Sequence, residues 1–215
     1  MPDFEIRVSG EIRAVKKDNE PAKIVGYAAR FNQLSEDLGK FREQIQPGFF
    51  DGIDQDDVRA LFNHDPNYVL GRTSSGTLKL TQDADGLAVD ITPPDTTWAR
   101  DLMKSIERGD VSQMSFAFTV AENGDKWEKV DGNWIRTLVK KGRVLDVSPV
   151  TYPAYPHTSA AVRSHLETLQ QGETIPPDQA ASSGAEDQVK ARQAARSRTL
   201  ELLGAKNKTR KEPQS

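Results

Sequence analysis

VSQMSFAFTV, residues 111–120, is the stretch on which the fold class turns. Read with a period of two, Met114, Phe116, Phe118 and Val120 fall on one face, and Gln113, Ser115, Ala117 and Thr119 on the other. The stretch therefore reads as a half-buried strand, with Ser115 directed away from the apolar side. A serine so placed carries no chemistry by itself; it only faces water or a neighbouring strand.

Upstream, Asp95 or Thr96 can cap a helix that carries Trp98, Leu102 and Ile106 at four-residue spacing, and Gly109 can end it. Before it, TLKLTQDADGLAVDITPP makes a hairpin, with Leu78 and Leu80 on one arm and Leu87, Val89 and Ile91 on the other, turning at Asp85-Gly86. VRALFNHD (58–65) reads as a strand ended by Pro66, with His64 at its mouth. Residues 32–57 lack periodicity and are expected to form a long surface loop with one helical turn. At the start, Phe4, Ile6 and Val8 alternate and the pattern resumes at Ile12 after Gly10, while KIVGYAARF (23–31) reads as the partner strand.

Downstream, KWEKV and NWIRTLV form a hairpin about Asp131-Gly132, and GRVLDVSPVTYPAY gives a last long strand ended by Pro153 and Pro156. About eight to ten short strands with one core helix argue for a mainly β protein, a mostly antiparallel barrel or closed sheet.

The hydrophobic fraction of 36% in 215 residues allows one ordinary domain plus an appendage, and a mean hydropathy of −0.65 expects part of the chain to stay outside the core. The predicted division is a β-barrel domain over 1–165, a linker over 166–184 containing the Pro-, Gly- and Ser-rich stretch, and a tail over 185–215. That tail can form a charged, alanine-rich helix too poor in large apolar residues to stand without a partner. A net charge of −3 gives no general pull toward nucleic acid or an anionic membrane. No apolar run reaches the ~18 residues of a membrane span, and MPDFEIRVSG lacks the regions of a secretory signal, so a cytoplasmic protein is expected.

The absence of cysteine excludes a disulfide framework, a thiolate metal site and a thiol nucleophile, leaving an oxygen nucleophile. No zinc, P-loop or dinucleotide motif is present, so no cofactor is expected, and the acidic DQDD at 54–57 reads as a solvated turn. Activating a serine needs a base within hydrogen-bond reach and a third group to orient it. Of His64, His157 and His165, His64 stands where strand ends display functional side chains. Asp65, Asp110 and Asp146 could each orient it. Asp65 adjoins His64 and points to the opposite face, and Asp110 can simply make a turn. Asp146 interrupts the apolar Val144-Leu145-Asp146-Val147, where a carboxylate is costly without a partner, so it is the best orienter, though a structural role is equally open.

ALFNHD with His64, RGDVSQMSFAF with Ser115, and VLDVSPVTYPAYPHT with Asp146, in this order and spacing, resemble the tailed-bacteriophage prohead maturation proteases, themselves related in fold to the herpesvirus assemblins. The resemblance covers residues 4–165. It implies a serine endopeptidase packaged in the immature capsid within the host cytoplasm, digesting scaffold or the scaffolding segment of the major capsid protein and then itself. It implies Ser115 as nucleophile and His64 as base. The third position, usually a glutamate in the phage enzymes and a histidine in the herpesvirus ones, is here Asp146, with His157 in reserve. Arg143 or Arg163 could assist the oxyanion, the assemblin likeness implies a homodimer, and the tail would bind scaffold. The alternative is a non-catalytic capsid-assembly protein of the same fold.

Overall fold

Strands form where apolar side chains alternate, and their pairing brings distant stretches of chain together. The computed structural model describes residues 4–152 and 160–171, apart from 17, 19 and 39. These fall in two units, Phe4–Thr158 and a second that contains the helix at 160–171.

The first unit is mainly β. Its elements are β1 (Glu5–Val15), β2 (Lys23–Arg30), β3 (Phe41–Ile45), β4 (Arg59–Phe62), β5 (Asp65–Arg72), β6 (Leu78–Gln82), β7 (Gly86–Ile91), α1 (Thr97–Glu107), β8 (Gln113–Val120), β9 (Asp125–Val130), β10 (Asn133–Leu138) and β11 (Lys141–Val150). Eight strands form one sheet in the order β5-β4-β11-β8-β1-β2-β7-β6, and β3-β10-β9 form a second. The second unit's described part is α2 (Ala160–Gln171), which carries the helix past residue 165.

The large sheet curls into a half-barrel. Strands β5 and β6 are its two edges; in the turn that joins them, the Arg72 N–H donates to the Thr77 hydroxyl (2.9 Å). Two pairings, β4 with β11 and β3 with β10, are parallel. The antiparallel barrel expected from the sequence is thus only partly realised: its edge strands β5 and β6 do not pair with each other, and its β4–β11 pairing is parallel.

Two local expectations change as well. Residues 32–57 are only in part a surface loop: the expected helical turn lies at Ile53–Gln55, but β3 also lies there, and Phe49 and Phe50 are buried. The buried Glu43 in the middle of FREQI made the strand look polar. Pro66 does not end the strand system; it lies inside β5, an edge strand, where a missing N–H breaks no ladder bond.

The core shows why VSQMSFAFTV is central. Strand β8 is paired along both edges, with β11 and β1, and both of its faces are buried: Ser115 and Ala117 are as buried as Phe116 and Phe118. Phe116 and Phe118 stack on each other at 4.8 Å and meet Phe50 and Phe49 edge-on at 5.7 Å. Each fully buried ring contributes about 1.5–3 kcal/mol. Helix α1 buries Ala99, Leu102, Met103 and Ile106; Thr96 sits at its N-cap without a side-chain cap bond, and Gly109 (φ 82°) follows its end. Close approach of β1 and β2 requires glycine, since a Cβ on Gly10 would lie 1.7 Å from the Tyr27 carbonyl oxygen.

Among the described residues, four charged side chains are also buried. Glu5 and Arg7 of β1 meet Glu43 of β3 and Arg136 of β10, joining the two sheets through ion pairs of 2.5–2.9 Å. Burial alone works against the Arg136 charge, but the carboxylates of Glu43 and Glu5 outweigh it and raise its proton affinity. Buried charges persist only when paired this fully.

Candidate active site

On β8, Ser115 lies opposite Val8 of β1 and Ser148 of β11, and Asp146 lies opposite Ala117. Both neighbouring strands have a register break close by, between Val8 and Gly10 and between Val144 and Asp146. Such bulges re-aim side chains, and they are common beside functional sites. Asp146 and Ser148 share a face with each other.

His64 reaches this face from a different strand pair. Phe62 pairs with Asp65, leaving Asn63-His64 as a two-residue loop. Both loop residues have positive φ, 54° and 57°, the geometry of a type I′ hairpin turn. A left-handed conformation costs a residue such as histidine about 1–2 kcal/mol, so the surrounding structure must hold it.

The three side chains then form a chain of contacts across 51 and 82 residues of sequence. His64 Nδ1 lies 2.6 Å from Asp146 Oδ1, and His64 Nε2 lies 2.7 Å from Ser115 Oγ. With the carboxylate as acceptor, the proton of neutral His64 belongs on Nδ1, and the Nε2 lone pair faces the Ser115 hydroxyl. The serine has a second acceptor, the Arg7 carbonyl at 3.0 Å. When the imidazole carries both protons, Nε2–H donates to Ser115 Oγ, and the hydroxyl proton turns to Arg7. The Ser148 hydroxyl donates to Asp146 Oδ1 at 2.8 Å, the same oxygen that serves His64. Ser115 and Ser148 are fully buried, while His64 and Asp146 are each 15% exposed, so the group meets solvent through the imidazole and the carboxylate. This arrangement can accept a proton from Ser115 and stabilise the resulting imidazolium. Val8, which pairs with Ser115, lines with Ser9, Arg30, Gln33 and Gln113 a hollow of about 310 Å³ whose lining includes none of the three side chains.

Within the first unit, the other described candidates from the sequence lie elsewhere. Asp65 accepts hydrogen bonds from Asn67, and Asp110 pairs with Arg108 at the surface. Arg143 is exposed opposite Thr119, four residues along β8 from Ser115. His165 lies on α2, half-buried. His157, the side chain of Arg163, the linker beyond residue 171 and the tail lie outside the described residues. The DQDD turn is less solvated than expected: Asp56 pairs with Lys141 (2.9 Å) and both are half-buried, whereas Asp57 bonds Arg72, which draws its carboxyl well below the usual range. Among the described residues no three metal-ligating side chains cluster.

Sequence reasoning missed Asn63 and Ser148. A two-residue Asn-X loop between strands was the available signal for the first, and an i+2 offset from Asp146 for the second.

The model of one protein family, described as caudovirus prohead serine protease, matches residues 9–172. Comparison with curated proteins and with solved structures gave no match.

Proposed function

The chain belongs to the caudovirus prohead serine protease family, and we propose that it cleaves peptide bonds with Ser115 as nucleophile, His64 as general base and acid, and Asp146 as the group that orients and stabilises His64. The observation that carries this reading is the pair of short contacts at the two ring nitrogens of His64, one to the carboxylate and one to the hydroxyl.

The reaction is acyl transfer. Ser115 Oγ attacks the scissile carbonyl carbon while its proton passes to His64 Nε2, giving a tetrahedral oxyanion and an imidazolium held by Asp146. The imidazolium returns that proton to the leaving amine as the C–N bond breaks, leaving an ester on Ser115. Water then attacks the ester, gives a proton to His64 Nε2, and the serine leaves with that proton restored.

A capsid maturation protease acts on capsid or scaffold proteins, and its substrates here are read as the scaffold or the scaffolding segment of the major capsid protein, followed by the protease itself. The enzyme would work inside the immature capsid in the host cytoplasm. No helix among the described residues is long and apolar enough to cross a membrane. Residues 1–165 are read as the protease domain, 166–184 as linker and 185–215 as a scaffold-binding tail. A homodimer fits the assemblin likeness.

Co-expression with the major capsid protein tests the activity. Wild type is expected to shorten the capsid protein on a gel and Ser115→Ala to leave it intact; identical processing by the variant would remove Ser115 from the reaction.

A further inference from the structure

We propose that Asn63 is a positioning residue for the reaction, a latch that fixes the His64 turn to the strand carrying Asp146; the inference rests on the reading of His64 as general base. Strand β4 pairs with β11 at only two positions, Arg59 with Asp146 and Ala60 with Val147. Beyond them its pairing with β5 is irregular on both sides of Leu61. The ladder therefore holds the turn loosely at the point where His64 must meet two partners at once.

Asn63 supplies what the ladder lacks. Its N–H donates to the Pro149 carbonyl at 3.0 Å, its Nδ2 donates to the Thr151 hydroxyl at 3.2 Å, and its Oδ1 accepts the Thr151 N–H at 2.9 Å. Pro149 follows Ser148 on β11 and Thr151 stands just past the end of that strand, so three bonds from one residue tie the turn to the end of the strand that carries the carboxylate. Asparagine also tolerates the left-handed φ of 54° that the type I′ turn demands. One side chain thus sets the turn's conformation and its place. Without the latch the imidazole can drift from contacts of 2.6 and 2.7 Å, and a misplacement of about 1 Å can cost ~100-fold in rate.

The test uses the full chain with a peptide substrate spanning a mapped cleavage site, a fluorophosphonate probe, and proton NMR of the His64 Nδ1–H. Asn63→Gly keeps the left-handed backbone and removes the side-chain latch. It is expected to lower kcat by about tenfold or more with little change in KM, to slow labelling by the same factor, and to broaden or shift the Nδ1–H resonance. Asn63→Asp can accept both the Thr151 N–H and the Thr151 hydroxyl proton, and should recover most of the rate. If Asn63→Gly does not fold, Thr151→Val, which removes one bond of the latch, is expected to lower kcat by about threefold. Wild-type kcat and labelling in folded Asn63→Gly would overturn the inference while leaving the site reading intact, as would undiminished kcat in Thr151→Val where that variant stands in, or a folded Asn63→Asp as slow as Asn63→Gly. Failure of the wild type itself to label at Ser115 would overturn both.

Discussion

At the scale of the residue, the working parts are few and each has a stated burden. Asp146 Oδ1 receives two donors, the Nδ1–H of His64 and the hydroxyl of Ser148. The first fixes the tautomer, and the second fixes the carboxylate. Asp146→Asn replaces an acceptor with an amide that can present N–H to the ring, so the wrong imidazole tautomer is favoured; a fall of about 10⁴-fold in kcat is expected with the fold retained, measured by peptide hydrolysis. An Asp146→Asn enzyme at full activity would remove the carboxylate from the mechanism and turn attention to His157. Ser148→Ala removes one charge-assisted bond while leaving His64 its partner, so a smaller loss of about tenfold is expected. Equal losses in the two variants would contradict this ranking.

At the scale of the element, the two sheets are joined by buried charge rather than by apolar contact alone. Arg136 on β10 contacts Glu5 on β1 and Glu43 on β3, at 2.7 and 2.9 Å. Arg136→Met leaves two buried carboxylates with less compensation and is expected to destabilise the protein by about 3–5 kcal/mol, read from chemical denaturation. A loss below 1 kcal/mol would show that the network contributes little to holding the sheets. On the β5 edge, Asp57 bonds Arg72, and this guanidinium holds its carboxyl below the usual range. A group whose folded-state pKa is depressed adds stability above its unfolded value, near 3.9, and that stability disappears as pH falls through the folded value. Asp57→Asn should therefore lower Tm at neutral pH, with the gap to wild type closing in strong acid. A gap that stays constant with pH would mean that the charge on Asp57 is not its source.

At the scale of the whole molecule, local pattern and long-range placement were unequally legible. Alternation announced β1, β2, β6, β7 and β8, and Asp-Gly marked the β9–β10 turn, because each signal lies within a few residues. Strand β3 escaped, since its parallel partner β10 lies some ninety residues away and a buried glutamate interrupts its apolar pattern. Residue types drew attention to Ser115, His64 and Asp146, but period-two reading gave only directions. The contacts themselves depend on bulges in β1 and β11 and on a left-handed turn, none of which an alternation pattern encodes. Asn63 and Ser148 escaped for the same reason: their importance lies in what they touch. The proposed role of the tail belongs to this scale too. A chain ending at residue 171 should cleave peptides as the full chain does but enter proheads less efficiently, measured by protease content of purified particles; equal incorporation would remove the tail from packaging.

The most direct test of the proposed site is to label the protein with a fluorophosphonate and map the adduct by peptide mass spectrometry. The expected result is a single modified residue, Ser115, with labelling abolished in Ser115→Ala and strongly slowed in His64→Ala. An adduct at another serine, or labelling at Ser115 that is indifferent to His64, would contradict the Ser115–His64–Asp146 assignment.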